Sequence, residues 1–240
     1  MAKNFIFYNN KHSYEDFGLL LDPIVLPSTN EETESIEVEG RNGSLTVKKG
    51  YYKDKILELN FTLKRENTES VEDFYIKLDA IQEWLLSNAE DLIIYLKPGK
   101  VLKVKNIILG DIEPNNIFFV DFTATVTCES FFYNVNEKNI TITENNSSIN
   151  YIGTALGELK LKIYGTGDIQ LTIGSTTVQI NDVVDSVTLD SKLLLCLDAD
   201  GNNKSIDMIG NFPLLTQGNN TISWIGTVTK LEILPRTAYR

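Results

Sequence analysis

Alternation of apolar and polar residues dominates the first half of the chain. In the segment 56–64, the apolar positions after Ile56 are odd-numbered and the polar positions are even-numbered. The segment 118–128 repeats the pattern with its apolar residues at even-numbered positions. Because successive side chains of a strand point to opposite faces, both segments are predicted to be strands with one buried face. The second has about 11 residues, and such long strands suit sheets that curl or close.

One segment between these strands has the periodicity of an amphipathic helix. Its apolar residues recur at spacings of three and four and form one stripe: Val71, Phe74, Leu78, Ile81 and Leu85. Ser70 is predicted to cap the helix with Asp73 completing a capping-box pattern, and Ser87-Asn88 is predicted to end it. Because a lone helix among strands must lay its stripe on a sheet, the first half is predicted to be an α+β domain.

After residue 134 the pattern changes to short alternating strands without a helical stripe. The polar segment 134–139 is predicted to join two domains, residues 1–134 and 139–240. The predicted strands carry these apolar residues: Leu159/Leu161/Ile163, Ile169/Leu171/Ile173, Val178/Ile180, Val187/Leu189, Ile222/Trp224 and Leu231/Ile233. The predicted turns between strands include Gly165-Thr166-Gly167, Gly174-Ser175 (a two-residue hairpin) and Asp200-Gly201-Asn202-Asn203. Regular short strands predict a β-sandwich of about 100 residues.

Composition and charge limit the classes of function that the protein can have. The chain has 240 residues, of which 42% are apolar and 23% charged, as in a globular protein. Its net charge of −11 disfavours binding to DNA or to an anionic membrane by bulk electrostatics, but suits a passage to which DNA must not stick. No apolar run has the length of a signal peptide or membrane helix, so synthesis in a cytoplasm without membrane insertion is predicted. Cys128 and Cys196 lie in apolar stretches and are predicted to be buried free thiols.

The candidates for catalysis or metal binding are weak. His12 is the only histidine, lies in a polar turn and is predicted to be a solvated loop residue. The run Asp198-Ala199-Asp200-Gly201-Asn202 has alternating acids as in a calcium loop. Its glycine stands at the fourth position instead of the sixth, and Ile209 replaces the glutamate that should close the loop. A hairpin turn is therefore predicted there, and the sequence indicates no catalytic residue, cofactor or metal.

One basic segment with aromatic residues, Lys48 to Lys55, has three interpretations. Its lysines could hold a nucleic-acid backbone while Tyr51 and Tyr52 stack on bases, although the overall charge disfavours this. It could be a solvated loop that leads into the strand at Ile56. A protein–protein contact is the favoured functional interpretation, because tyrosines and basic side chains are common in interfaces. The predicted assembly contacts are Arg41, Lys48, Lys49, Tyr51 and Tyr52.

Three stretches, in this order, carry a resemblance to a known family. The first is Phe5-Ile6-Phe7-Tyr8-Asn9-Asn10, followed by Ser13-Tyr14-Glu15-Asp16-Phe17-Gly18-Leu19. The second is Gly40-Arg41-Asn42-Gly43-Ser44-Leu45 with Gly50-Tyr51-Tyr52, the strand and the helix. The third runs from Gly210-Asn211-Phe212-Pro213-Leu214-Leu215 through Gly218 to Gly226 and Leu231-Glu232-Ile233-Leu234-Pro235-Arg236. Together they resemble the distal tail protein (Dit) family of siphophage-type bacteriophages. Glu158 departs from the pattern, since the family more often has proline before the corresponding strand.

The resemblance implies a mainly β fold: an N-terminal α+β domain with a sheet or barrel covered by one helix, then a galectin-like β-sandwich. It implies that the N-terminal domains form a homo-hexameric ring at the tail tip of a phage or prophage particle. The ring would join the tail tube protein to tail-tip or baseplate proteins, with DNA as passing cargo. Receptor-binding or adsorption proteins would dock on the outer sandwich.

Two other classes of function stay open at this point. The first is a carbohydrate-binding adhesin, because a galectin-like sandwich can hold a sugar, typically against a tryptophan. Trp224 lies in an alternating strand and is predicted to be a core residue instead. The second is an enzyme that acts on the cell wall, which would need a catalytic constellation that the sequence does not show.

Overall fold

The computed structural model describes residues 4–116 and 118–240. It is mainly β, as predicted, and has one α-helix in the described ranges. Internal contacts divide the chain into two compact units, residues 1–132 together with Arg240, and Tyr133–Tyr239. The division lies beside the predicted joint at 134–139. Independent folding of the two parts stays a prediction.

The first unit is built on one antiparallel sheet with strands in the order β2-β1-β7-β8-β9-β6-β3. A separate two-stranded sheet pairs β4 with β5. The elements are β1 (Ile6–Tyr8), β2 (Lys11–His12), β3 (Leu20–Leu21), β4 (Glu31–Ile36), β5 (Leu45–Tyr52), β6 (Lys55–Lys64), α1 (Val71–Leu85), β7 (Asp91–Ile94), β8 (Lys100–Asn116) and β9 (Phe119–Asn134).

The two strands predicted from alternation are neighbours in the large sheet. β6 pairs antiparallel with β9, with Lys55 opposite Cys128 and Lys64 opposite Phe119. The odd-numbered residues of β6 are buried and the even-numbered ones are exposed or partly exposed, so the predicted buried face is confirmed. In β9 the even-numbered residues from Val120 to Cys128 are buried, as predicted, while Phe118 precedes the strand and is 38% exposed.

The helix has the predicted bounds and cap. The Ser70 hydroxyl accepts a hydrogen bond from the Asp73 N–H at 3.0 Å and donates one to the Asp73 carboxylate at 2.7 Å. Of the predicted stripe, Val71 is 46% exposed, while the other members are buried together with Trp84. The Trp84 indole N–H donates to the Tyr8 carbonyl at 2.8 Å, which fixes the last turn to β1. At 15 residues α1 is too short to span a membrane, and no helix in the described ranges has the length and apolarity to do so.

The second unit contains strands and one short 3-10 helix, Ser205–Asp207. The strands are β10 (Ile140–Ile142), β11 (Ser147–Tyr151), β12 (Lys160–Ile173), β13 (Thr176–Val183), β14 (Ser186–Asp190), β15 (Leu195–Asp198), β16 (Met208–Gly210), β17 (Gly218–Leu234) and β18 (Ala238–Tyr239). The predicted two-residue hairpin at Gly174-Ser175 is confirmed, since Ile173 pairs with Thr176 across it.

Four predicted short strands are in fact two long ones. The prediction of a turn at Gly165-Thr166-Gly167 is wrong, because β12 runs through it with a shift of register against β17. Glycine permits this shift by letting two backbones approach closely. A Cβ atom on Gly165 would lie 2.2 Å from the Thr227 carbonyl oxygen, and one on Gly226 would lie 2.4 Å from that of Asp168. The glycines mark a bulge, and the strands continue past it.

The shift of register divides the long strand β12 into two segments that pair with different neighbouring strands. Residues 160–164 of β12 pair with β14, whereas residues 169–173 pair with β13. β17 accompanies both halves of β12 on the other side. The inward residues of all these segments meet in one apolar cluster that includes Leu161, Leu171 and Ile233. This arrangement is a β-sandwich, as predicted from the strand pattern.

Candidate functional site

The hairpin formed by β4 and β5 is the most exposed element of the first unit. We call residues 31–52 the hairpin arm. Ile36 pairs with Leu45 and Glu34 with Val47, so these residues share one face of the arm. Ser35 pairs with Thr46 on the opposite face, which is polar. The arm is therefore an amphipathic ribbon.

The apolar face of the hairpin arm is open to solvent. Ile36 is 42% exposed, and Leu45 and Val47 are each 41% exposed. A two-stranded hairpin is marginally stable by itself in water, and a contiguous exposed apolar face commonly marks an interaction site. Hydrogen bonds at its base hold the arm to the large sheet: Ser130 donates to the Tyr52 carbonyl at 3.0 Å, and Thr29 donates to the Ser130 carbonyl at 3.1 Å.

The basic segment is part of this arm, so its interpretation as a solvated loop is wrong for Lys48 to Tyr52. Strand pairing places acidic residues of β4 against its lysines. The ion pairs are Lys48–Glu31 at 3.0 Å, Lys49–Glu34 at 3.1 Å and Lys53–Glu32 at 2.9 Å. The hydrogen bond to Glu34 raises the pKa of Lys49. Because carboxylates already neutralise these lysines, the segment offers little net positive charge to a nucleic acid.

The predicted assembly contacts all lie in the hairpin arm, at different distances from its base. Lys48, Lys49 and Tyr51 lie in β5, and Tyr51 is 54% exposed. Arg41 lies in the exposed connection between the strands. Tyr52 lies at the base, where its ring meets Phe131 edge-on with centroids 5.0 Å apart.

Sequence reasoning missed the apolar residues of the arm, namely Ile36, Leu45 and Val47. β5 carries a weak signal, since Leu45 and Val47 alternate with polar residues. β4 carries almost none, because Ile36 is its only large apolar residue. Only the pairing of the two strands brings the three side chains onto one face.

His12 is a structural residue, and the prediction of a solvated loop is wrong. It lies in β2, and its ring stacks on Phe5 with centroids 4.3 Å apart. Its Nδ1 accepts hydrogen bonds from the backbone N–H groups of Tyr14 at 3.2 Å and Glu15 at 3.1 Å. The nitrogen that could act as a base is therefore engaged in holding the turn.

The acidic run at Asp198 forms a turn, as predicted. The Asp198 carboxylate accepts hydrogen bonds from the backbone N–H groups of Asn202 at 2.8 Å and Asp200 at 3.0 Å. The hydrogen bond from the Asn202 backbone is the main cause that lowers the pKa of Asp198. Within the described ranges, no group of three or more histidine, cysteine, aspartate or glutamate side chains could hold a metal ion.

Both cysteines are buried and free, as predicted. Burial raises the pKa of Cys128 to about 12 and that of Cys196 to about 11. Both thiols are therefore protonated at neutral pH, whereas the thiolate is the nucleophilic form of cysteine.

Trp224 lies in the core of the sandwich, as predicted, and is 9% exposed. Its backbone N–H donates to the Asn145 side chain at 2.9 Å, and its carbonyl accepts from the same side chain at 2.8 Å. A tryptophan that stacks on a sugar must present its ring face to solvent, and this ring is covered.

No protein-family model matches the chain, and no curated protein matches its sequence. Among solved structures, the crystal structure of the SPP1 Dit protein (gp 19.1) is similar, with a TM-score of 0.70. The match covers 97% of this chain and 98% of that chain at 12% sequence identity. The chain has a Dit-type fold. The resemblance found in the sequence is thus confirmed at the level of fold, and the Dit-type fold extends over both units.

The SPP1 protein is a paradigm of the hub adsorption apparatus in phages that infect Gram-positive bacteria. At an identity of 12% the similarity concerns the Dit-type fold and does not extend to particular side chains. The hairpin arm and its exposed apolar face are properties of this chain's own residues.

Proposed function

We propose that the protein is the hub of a phage or prophage tail tip. Six copies would form a ring that joins the tail tube protein to the tail-tip and adsorption proteins. The observation that carries the proposal is the extent of the Dit-type fold, which spans 97% of this chain and 98% of the SPP1 protein. A match of both units in one chain favours a shared architecture over the reuse of a single common domain.

The hairpin arm is our candidate for the contact between neighbouring copies. The exposed apolar face of the arm would be stabilised by burial against another surface. In a ring, the first unit of the neighbouring copy is available to bury each arm. Arg41 and Tyr51 extend from the exposed part of the arm and would lie in or beside the contact. Lys48 and Lys49 would enter it already neutralised by Glu31 and Glu34, which reduces the cost of their desolvation.

The net charge suits the proposed place in the particle. A chain with a formal charge of −11 repels a DNA backbone, so a ring of such chains would let DNA pass without holding it. In this proposal the protein is made in the host cytoplasm and ends in the virion. Receptor-binding proteins would dock on the sandwich.

The assembly can be tested by its mass. Light scattering of the purified protein, alone and with the tail tube protein, should give a species near six protomers in at least one condition. Negative-stain images of that species should show a ring with a central hole. A strict monomer in both conditions, without rings in the images, would contradict the proposal.

A matched pair of variants tests the role of the arm. Leu45→Ser with Val47→Ser removes two apolar side chains from the open face, and we expect it to abolish the ring. Thr46→Ala changes the opposite face of the same strand and should leave the ring intact. Thermal melting of the monomers should be nearly the same for both variants, because all three residues are exposed. Equal ring formation by both would remove the arm from the contact.

A further inference from the structure

The outward residues of β12 differ between the two halves of the strand. In the half that pairs with β14 they are Lys160, Lys162 and Tyr164, and in the half that pairs with β13 they are Gln170 and Thr172. Both halves bury their inward residues in the same apolar cluster. Because a neutral outward surface serves the sandwich in the second half, the fold does not by itself require charged residues in the first.

Strand β17 completes this charged surface. Lys230 stands opposite Tyr164, and Glu232 stands opposite Lys162. The Tyr164 hydroxyl donates to the Glu232 carboxylate at 3.1 Å, and the Lys230 ammonium donates to the same carboxylate at 2.7 Å. The ammonium groups of Lys230 and Lys162 lie 4.1 and 4.9 Å from the centroid of the Tyr164 ring. We call Lys160, Lys162, Tyr164, Lys230 and Glu232 the basic face.

The basic face holds one carboxylate for three ammonium groups. The hydrogen bonds that Glu232 accepts from Lys230 and Tyr164 are the main causes that lower the pKa of this carboxylate, so Glu232 stays ionised at neutral pH. Its negative charge is already used by Lys230 in an ion pair. The charges of the other two lysines are therefore in excess on this surface.

The acidic residues nearest to Lys160 do not balance this excess. In the described part of the chain, no carboxylate forms an ion pair with Lys160 or Lys162. Asp190 stands opposite Lys160, but both of its carboxylate oxygens accept hydrogen bonds from Arg236. The charge of Glu158 acts on the same arginine and, together with Asp190, raises the pKa of Arg236.

The sign of the basic face is opposite to that of the second unit as a whole. Residues 133–239 contain seven lysine and arginine residues against eleven aspartate and glutamate residues, a net charge of −4. Three of the seven cations lie together on the outward surface of two neighbouring strands. A cluster of positive charge on an otherwise acidic protein attracts an acidic partner and fixes where that partner binds.

The geometry of the face indicates which kind of acidic ligand fits. Lys160 and Lys162 are successive outward residues of one strand, so their backbone positions are separated by about 7 Å, as are alternate residues of any extended polypeptide. The Tyr164 ring lies beside two ammonium groups and its hydroxyl is bonded to Glu232, so this tyrosine is not free to stack on a sugar. An extended segment with acidic residues at alternate positions therefore matches the face better than an acidic polysaccharide does.

We propose that the basic face is a docking surface for an extended acidic segment of a partner protein, whose carboxylates pair with Lys160 and Lys162. Tyr164, Lys230 and Glu232 hold the centre of the face in one arrangement, which reduces the entropy lost on binding. The inference rests on the proposed function only for the identity of the partner, an adsorption protein that docks on the sandwich. Binding of the acidic segment does not require the ring.

Fluorescence anisotropy tests the surface, with the full chain titrated at low ionic strength into a labelled peptide of alternating glutamate and threonine. We expect saturable binding that weakens about threefold or more in Lys160→Gln and in Lys162→Gln and is lost in the double variant. Lys64→Gln is the matched control, because it removes the same charge from a lysine that also lies near an aromatic ring, 5.9 Å from the Phe119 centroid, in the first unit. A peptide with glutamine in place of every glutamate should not bind.

The proposal is overturned if the wild-type chain shows no saturable binding of the acidic peptide, or if Lys162→Gln and Lys64→Gln lose equal affinity. Binding of polygalacturonate without binding of the peptide would assign the face to an acidic polysaccharide and would also overturn it. Light scattering of the same variants separates this inference from the proposed ring, since Lys162→Gln should assemble as the wild type does. Rings without peptide binding contradict only the docking surface, whereas peptide binding by a strict monomer contradicts only the ring.

Discussion

The hairpin arm and the sandwich are both made of antiparallel strands with alternating side chains, yet they differ in what covers their apolar face. In the sandwich, Leu161 and Leu171 are fully buried because two layers of the same unit face each other. In the arm, Val47 remains 41% exposed. The alternation of a strand therefore shows that one face is apolar, but the partner that covers it can belong to the same unit or to another molecule.

Glycines of the two regions also differ in how closely other atoms surround them. Gly226 has a φ of +107° and stands where a Cβ atom would meet the Asp168 carbonyl oxygen. Gly43 has a φ of +84° in the connection of the arm and has open space around it. The first glycine is required by packing and by backbone conformation, whereas the second is required by backbone conformation alone.

The comparison is tested most strongly by separating the units. We expect residues 139–240 to form a soluble monomer that melts cooperatively, because about 100 residues suffice for a stable sandwich. Residues 1–134 should self-associate, because the fragment carries the uncovered face of the arm. Calorimetry and light scattering of both fragments provide the measurement. An unfolded C-terminal fragment, or one that carries the oligomeric contacts, would require a different division of the chain.

The next largest effect is expected for Gly226→Ala. The added methyl group both strains the backbone at positive φ and collides with the neighbouring strand, so we expect a loss of about 3 kcal/mol or more in the free energy of unfolding. Gly43→Ala, which adds strain without a collision, should cost only about 1 kcal/mol and act locally. Urea denaturation of the two variants measures the difference. Similar midpoints would show that the bulge tolerates a side chain.

A smaller effect is expected for the ion pair that holds the end of the sandwich. Arg236 donates to the two carboxylate oxygens of Asp190 at 2.6 and 2.7 Å. Burial raises the pKa of Asp190, but the hydrogen bonds from Arg236 and the Leu193 backbone outweigh it, so the pKa is lower than usual. Asp190→Asn should therefore cost about 2 kcal/mol at neutral pH, a value reduced because Arg236 is partly solvated.

The lowered pKa of Asp190 also fixes the direction of the pH dependence. Stabilisation by this carboxylate is complete above its unfolded pKa of about 4 and disappears as the pH falls through the lower pKa of the folded state. The gap in stability between wild type and Asp190→Asn should thus close in acid. Asp200→Asn, in an exposed turn, is the control and should show no such gap. A gap that stays constant between neutral and acid pH would contradict the role of the charge.

The smallest effect is expected in the arm itself. Glu34→Gln breaks the ion pair with Lys49, whose side chains are 56% and 36% exposed. Solvent screens such a pair, so the urea midpoint of the monomer should not change measurably. In the ring, where the pair would be desolvated, the same substitution should have a larger effect. A shift of the monomer midpoint beyond experimental error would show that the arm is better packed than its exposure indicates.

Local periodicity was enough to predict the strands β6 and β9 and the helix α1 of the first unit. The strand 56–64 and the helix with its Ser70 cap follow from the spacing of apolar residues, because the period of each element is set by its own backbone geometry. The burial of Cys128 and Trp224 follows from the same spacing. The resemblance to the Dit family rested on short motifs in order, and the fold agrees with it.

Only the tertiary structure decided the features that depend on a partner strand. A glycine at 165 is compatible with a turn and with a bulge, and the close approach of Thr227 selects the bulge. The lysines of β5 look like a basic patch until pairing sets β4 against them. Lys55 and Lys97 are separated in the chain, and only the tertiary structure places both ammonium groups near the Phe132 ring. Sequence determines local geometry because that is set by neighbouring residues, whereas counter-charges and covered faces are set by residues far along the chain.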